Sequence, residues 1–307
     1  MATANEKYPR ARGNIVDLQE SWMLSLRAER KSLATIEQYG IGLRLFIRWC
    51  DQNGHSPDIS RTLVRLFIDH LLATGSSPST AQLRLQALKR FAAWLVDEGE
   101  VDENPLLGMK PPKVDVKIVD NLTDDDLRLL LRACQGPSFR DRRDEAVVRL
   151  LIETGMRAGE LLNLTVDDVD LRRGLVAIHR SKTGRGRVVP FGPQTGQALD
   201  RYLRLRRRHR LAHTTTLWLG DNSRGTIAYH GMRDAILNRA ESAGLRNFRL
   251  HRLRHTAASR WLREGGSENG ALAVLGWSSR QMLDRYVAAT ASERAADEAR
   301  SLNLGDL

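Results

Sequence analysis

From residue 14 to residue 99 the apolar positions recur at intervals of three and four, the period of a helix with one buried face. Ile15, Leu18, Trp22 and Leu26 form the first such stripe, from Asn14 to about Ala28. Ser32 is placed to cap a second helix carrying Ile36, Tyr39, Leu43, Phe46, Ile47 and Cys50, and Gly54 stops it. Ser60 opens a third through Val64, Phe67, Ile68 and Leu71, ending near Gly75. Ser77-Pro78 opens a fourth, with proline at the first helical position, through Leu85, Leu88, Phe91 and Leu95 to Gly99. Four amphipathic helices of this length close a small bundle.

Asn104-Pro105 and Pro111-Pro112 then break the period. Residues 104–118 read as a semi-extended linker between domains at 14–103 and 119–307. Thr123 caps the next helix, and Asp124, Asp125 and Asp126 suit its positive end better than they suit a metal. A helix over Asp141 to Glu153 ends at Gly155. The period then changes. Leu175 to Ile178 and Val188 to Phe191 are β-like runs flanking the basic tip Ser181-Lys182-Thr183-Gly184-Arg185-Gly186-Arg187, which predicts a hairpin. Helical patterns return over Arg201–Arg210, Thr226–Ala243, Leu250–Arg263 and Ser279–Val287, with a last amphipathic run at Glu293–Leu302. The predicted fold class is mainly α with a small β-sheet: an N-terminal helical bundle followed by a C-terminal α+β domain.

Charge sharpens this division. The 307 residues carry a formal net charge of +11, almost all of it beyond residue 110. Leu171 to Arg263 alone holds 21 Lys and Arg against 4 Asp and Glu, which points to a polyanion-binding surface or to solvated helix faces. Arg201 to Arg210 contributes six arginines on one helix, read either way. Cys50 and Cys134 lie far apart with no metal-type spacing, so neither a disulfide scaffold nor a zinc ribbon is expected. No apolar run approaches the roughly 20 residues of a spanning helix. Residues 1–13 are polar and read as a disordered tail, neither signal peptide nor anchor.

The candidate chemistry lies late in the chain. On the predicted helix Leu250–Arg263, His251 and Arg254 project from one face, and His255 shares that side. A guanidinium and an imidazole held together suit a phosphate. Tyr286, nine residues after Trp277, supplies a phenol that can act as a nucleophile. Arg157 follows Gly155 directly, with Glu160 three residues on; alone, that pair reads as a surface ion pair worth a few tenths of a kcal/mol.

Together these pieces resemble a known family. Thr154-Gly155-Met156-Arg157-Ala158-Gly159-Glu160-Leu161 is similar to the first arginine motif of the tyrosine recombinases, also called the phage integrase family. His251-Arg252-Leu253-Arg254-His255-Thr256 resembles their His-x-Leu-Arg-His box, and Leu275-Gly276-Trp277 with Tyr286 their Gly-His/Trp to tyrosine segment. Lys182 sits where that family has a catalytic lysine on a hairpin. The resemblance is tight from about Thr123 onward and general before it.

It implies a SAM-like core-binding domain followed by a catalytic domain, in an enzyme of the Xer type or of a simple mobile element. Tyr286 would attack a DNA phosphodiester to give a 3′-phosphotyrosine, while Arg157 and Arg254 hold the non-bridging oxygens. Lys182 would protonate the leaving 5′-oxygen, and His251 would either accept the tyrosine proton or hydrogen-bond the phosphate. Trp277 can donate but not accept a proton, as in the Cre-like subset. Glu160 and His255 would orient and pack. Arg185, Arg187, Arg204, Arg207 and Arg208 are the candidate DNA contacts. The implied partner is double-stranded DNA with paired recombination sites, bound by a homotetramer alone or with a paralogue or accessory factor. No cofactor or metal is implied, and the implied location is cytoplasmic, at the nucleoid. The run Glu293–Leu302 would dock on a neighbouring subunit or fold back on its own. Two other readings remain at this stage: a type IB topoisomerase and a non-catalytic DNA-binding relative.

Overall fold

A computed structural model of the chain describes residues 14–114, 121–179, 186–221 and 225–277, and beyond these 279–280, 282–284, 286–287, 295 and 300. It divides into two compact units, residues 1–116 and 117–307.

The first unit is built on α1 (Leu18–Ala28), α2 (Leu33–Gln52), α3 (Arg61–Ala73) and α4 (Pro78–Asp97). The caps read from sequence form: the hydroxyls of Ser32, Ser60 and Ser77 accept from the backbone N–H groups of Thr35, Leu63 and Thr80. The apolar stripes meet in one core in which Trp22, Leu43, Phe46, Phe67, Leu85, Leu88 and Phe91 are buried. Helix α2 packs closely enough on α4 that a Cβ on Gly42 would lie 2.6 Å from that of Ala87. The first half of the expected linker is part of this unit. Leu106 and Met109 are buried in the core, and Arg61 donates to the carbonyls of Pro105 (3.4 Å) and Leu107 (2.5 Å). Proline ends a helix, but it does not stop the residues beside it from packing. Residues 115–118 of that linker, and the tail 1–13, lie outside the described residues.

The second unit is organised on α6 (Phe139–Thr154), which packs against both α8 (Pro193–Arg206) and α10 (Leu250–Arg263). Around these lie α5 (Asp124–Ala133), α7 (Ala158–Leu162), α9 (Tyr229–Ser242) and α11 (Glu268–Leu275). The acidic triplet is a cap: Thr123 and Asp126 form a capping box at the start of α5. The sheet has three antiparallel strands in the order β1 (Val169–Asp170), β2 (Leu175–Ile178), β3 (Arg187–Pro190), with Val176 opposite Val189 and Ile178 opposite Arg187. The hairpin pattern predicted β2 and β3, though not the short β1. Thr226 lies in an isolated bridge with Leu219, so α9 starts three residues later than its pattern suggested. Among the described residues no helix is long and apolar enough to cross a membrane. The tail run 293–302 falls almost entirely outside the described residues.

Candidate active site

The site forms where α6 ends. Gly155 closes that helix in the left-handed region (φ 58°), a conformation costly for residues with a Cβ. A Cβ there would also lie 2.4 Å from Leu275 Cδ2 and 3.1 Å from Ala257 Cβ, so glycine is required twice over. The turn delivers Arg157 to the start of α7, where Glu160 folds back beneath it. The Glu160 carboxylate is buried and accepts four hydrogen bonds. Two come from Arg157, through Nη1 (2.9 Å) and the backbone N–H (2.8 Å). Two come from Arg187 on β3, through Nη1 (3.0 Å) and Nη2 (2.8 Å). Burial alone would raise the Glu160 pKa, but the donors from Arg187 and Arg157 outweigh it and hold the carboxyl below its ordinary range. What reads in sequence as a surface pair is a buried clamp.

Helix α10 supplies the second arginine. Its middle is fixed to the start of the unit, since Thr256 Oγ1 accepts from the Leu122 N–H (2.9 Å) and Asn121 donates to Ser259 (3.0 Å). Arg254 is buried, donating from Nη1 to the Gly155 carbonyl and from Nη2 to the Leu275 carbonyl, both at 2.6 Å. Arg157 Nη2 donates to the next carbonyl, Gly276, at 3.2 Å. The two guanidiniums therefore sit side by side on successive carbonyls at the end of α11. Burial first, and then the Arg157 charge, push the Arg254 pKa down to about 10, so it stays charged at neutral pH.

Trp277 and Tyr286 complete the cluster. Gly276 ends α11 in the left-handed region (φ 62°) and turns the chain so that Trp277 lies 5.6 Å from the Arg254 guanidinium. Tyr286 stacks on Trp277 with ring centroids 5.0 Å apart, and both are buried with Leu275 and Leu283. The indole N–H of Trp277 is buried without a hydrogen-bond partner among the described residues. The Tyr286 hydroxyl is hydrogen-bonded to His255 Nδ1. His251, one turn earlier, meets the His255 ring edge-on at 4.4 Å and is itself exposed. Partial desolvation, followed by the Arg254 and Arg157 charges, lowers the His251 pKa, which keeps its ring neutral at physiological pH.

Two arginines, two imidazoles, an indole N–H and a phenol thus converge. Residues 120–293 match the Phage integrase family, and residues 20–99 match the Phage integrase N-terminal SAM-like domain. The chain belongs to the phage integrase family of tyrosine recombinases. It is 32% identical over 229 residues to "Tyrosine recombinase XerC" of Thermodesulfovibrio yellowstonii, covering 73% of this chain and 76% of that protein. To the XerC of Azotobacter vinelandii it is 31% identical over 266 residues, covering 84% and 86%. Among solved structures, XerH bound to a palindromic difH substrate superposes with a TM-score of 0.72 at 18% identity, covering 93% of this chain and 84% of that one. The Tn1549 transposon integrase in complex with transposon right end DNA gives 0.70, also at 18%, covering 94% and 99%. The family's activity is site-specific DNA recombination, and this chain is an enzyme of that class.

Within this recombinase the sequence-derived site residues fall into three groups. Arg157, His251, Arg254, Trp277 and Tyr286 are brought together, with Glu160 and His255 among them. Lys182 and Arg185 lie outside the described residues. Arg204, Arg207 and Arg208 are exposed at the end of α8 and in the turn after it, and Arg204 pairs with Asp200 at 3.1 Å. Arg187 is a correction. Read as a DNA contact, it is instead only 10% exposed, turned onto Glu160 and, through Nε, onto the Val274 carbonyl at 2.8 Å. Its position two residues before buried Val189 would have placed it on the inner face of β3. Arg206, within the arginine run, is likewise structural: it is buried and donates to the carbonyls of Ala212, Thr214, Thr216 and Leu217. The stripe Leu199, Tyr202, Leu203, Arg206 carried that signal in its helical spacing.

Proposed function

We propose that this chain cleaves and rejoins one strand of DNA at a specific site through Tyr286, forming a 3′-phosphotyrosine and a free 5′-hydroxyl. The observation that carries the reading is the pair Arg157 and Arg254, held on the adjacent carbonyls of Leu275 and Gly276 beside the phenol of Tyr286. A phosphodiester repels nucleophiles through its own charge, so preorganised cations at its non-bridging oxygens are the main requirement. Each guanidinium gives two of its five N–H donors to the protein and keeps others for the phosphate. The indole N–H of Trp277, which has no partner among the described residues, is a further donor for a phosphate oxygen. Neutral His251, near both arginines, is suited to hydrogen-bond the same group. Lys182 is the proposed acid for the leaving oxygen, on the motif alone.

The unit at residues 1–116 is proposed as the core-binding domain, and that at 117–307 as the catalytic domain. The bound state is proposed to be a homotetramer on two paired duplex sites, by analogy with the lambda integrase tetramer bound to a Holliday junction. Action in the cytoplasm, at the nucleoid, follows from that substrate. The net charge of +17 over residues 171–263 supports a DNA partner whose binding weakens as salt rises.

The test is a covalent trap. Protein incubated with a nicked, fragmented DNA pool from its host replicon and then denatured in SDS should retain a DNA adduct, and Tyr286→Phe should not. Adducts confined to one sequence support recombination. Adducts spread over all sequences, together with relaxation of supercoiled plasmid, would move the assignment to a topoisomerase. DNA retardation with no adduct would leave a binding protein.

A further inference from the structure

We propose that His255, rather than His251, takes the phenolic proton from Tyr286 and is thus a catalytic residue of the strand-cleavage step. The proposal rests on Tyr286 being the nucleophile. Three observations carry it. The Tyr286 hydroxyl is hydrogen-bonded to His255 Nδ1, with the two ring centroids 5.4 Å apart. The phenol is held in place, because Tyr286 is only 6% exposed and stacks on Trp277. His251 occupies a different part of the site: its ring meets that of His255 edge-on with centroids 4.4 Å apart, and the charges acting on it are those of Arg254 and Arg157.

The helix explains the division. His251 and His255 are one turn apart on α10, so their rings are neighbours, yet His255 immediately follows Arg254 and is in contact with Tyr286. His251 is left beside the two guanidiniums that would grip the phosphate. One imidazole then serves the phosphate and the other the nucleophile.

The step balances without an added reagent. Neutral His255, with its own proton on Nε2, presents the Nδ1 lone pair to the phenol. As the Tyr286 Oη–phosphorus bond forms, the phenolic proton moves to Nδ1 and the phosphorus–O5′ bond breaks. The 5′-oxygen takes its proton from a separate acid, proposed above as Lys182. In rejoining, the His255 imidazolium returns its proton to the departing phenolate, so one residue serves both directions.

Chemical rescue decides it. Single-turnover adduct formation is measured on a nicked duplex carrying the trapped site, for the parent, Tyr286→Phe, His255→Ala, His255→Asn and His251→Ala, each with and without added imidazole. Removing His255 should slow adduct formation by about 10²- to 10⁴-fold, the usual contribution of a positioned base. Imidazole should restore much of the rate to His255→Ala. His255→Asn keeps a hydrogen-bond acceptor but no base, and it should stay slow. His251→Ala should slow without rescue. The proposal is overturned by a His255→Ala rate within about threefold of the parent, by a parent-like His255→Asn, or by rescue at His251→Ala instead. Thermal melting checks each variant, and His255→Asn carries the test if His255→Ala does not fold. A parent that forms no adduct at all would overturn the Tyr286 reading itself; a parent that does, with His255→Ala unimpaired, overturns only this one.

Discussion

Glu160→Gln is the sharpest perturbation of the arginine clamp. The carboxylate accepts four donors from two arginines, at 2.8 to 3.0 Å, in a buried position. Glutamine keeps the volume and one oxygen, but it removes the charge and turns an NH₂ towards a guanidinium. Breaking a buried pair by neutralising one partner costs about 3–5 kcal/mol when both sides are buried. Here the Arg187 side chain is 10% exposed and the Arg157 side chain 31%, so water relieves part of the loss at Arg157. About 2–4 kcal/mol is the expected range. For a unit of this size that corresponds to a fall of roughly 5–15 °C in melting temperature.

The pH dependence isolates the cause. The folded Glu160 pKa lies below its unfolded value, so its contribution is full above the unfolded pKa of about 4.3 and is lost as pH falls through the folded value. Denaturant titrations of parent and variant at pH 7 and at a series of acidic pH values should therefore converge as acid removes what the substitution has already removed. Adduct formation should also fall, because Arg157 loses the group that orients it. A variant as stable as the parent at pH 7, or a stability gap that is the same at every pH, would refute the clamp.

Other positions give separate checks. Arg254→Ala should reduce single-turnover cleavage by at least about 10²-fold, since one preorganised donor is worth roughly 3–4 kcal/mol, and should destabilise as well by orphaning the carbonyls of Gly155 and Leu275. Gly155→Ala should cost about 2–4 kcal/mol in denaturant titration, from a positive φ and a clash with Leu275, although position 155 bears no functional group. Trp277→Phe keeps an aromatic ring against Tyr286 but removes the indole N–H, which has no partner among the described residues; cleavage should drop about tenfold or more while stability changes by less than about 2 kcal/mol, and an unchanged rate would remove that donor from the phosphate.

How much of this was legible in the sequence depends on where each contact's information lies. Local signals read well. The serine caps, Pro78 at the head of α4 and the run Leu250–Arg263 gave helices within a few residues of their observed ends, because caps and periodicity act over a single turn. The motif residues were also found, since each motif is contiguous. Contacts between distant segments were not. Arg187 belongs to Glu160, 27 residues away, and to Val274, 87 away, and nothing in a basic hairpin distinguishes an arginine aimed inward from one aimed at DNA except the two-residue period of β3. The burial of Leu106 and Met109 in the bundle was hidden by the prolines around them. The pairing of Tyr286 with His255 instead of His251 depends on where Gly276 sends the chain after α11, which spacing along α10 cannot report.

The same geometry ties stability to substrate. Among the described residues, Arg157 and Arg187 both bond the buried Glu160 carboxylate, whose charge is also the one that favours the Arg254 cation, so the three arginines carry more positive charge than Glu160 neutralises. The lowered Arg254 pKa expresses that cost, because folding keeps a desolvated cation beside another one. The sign is set: a cation whose folded pKa lies below its unfolded value subtracts stability at all pH values below the folded pKa, here about 10, and neutral pH is inside that window. A phosphate diester between the guanidiniums supplies the missing charge. Duplex DNA should therefore raise the melting temperature of the parent by more than it raises that of Arg254→Met, with the difference shrinking as salt is added. Equal shifts for both proteins would mean that the DNA contacts lie elsewhere on the basic surface and that Arg254 is structural.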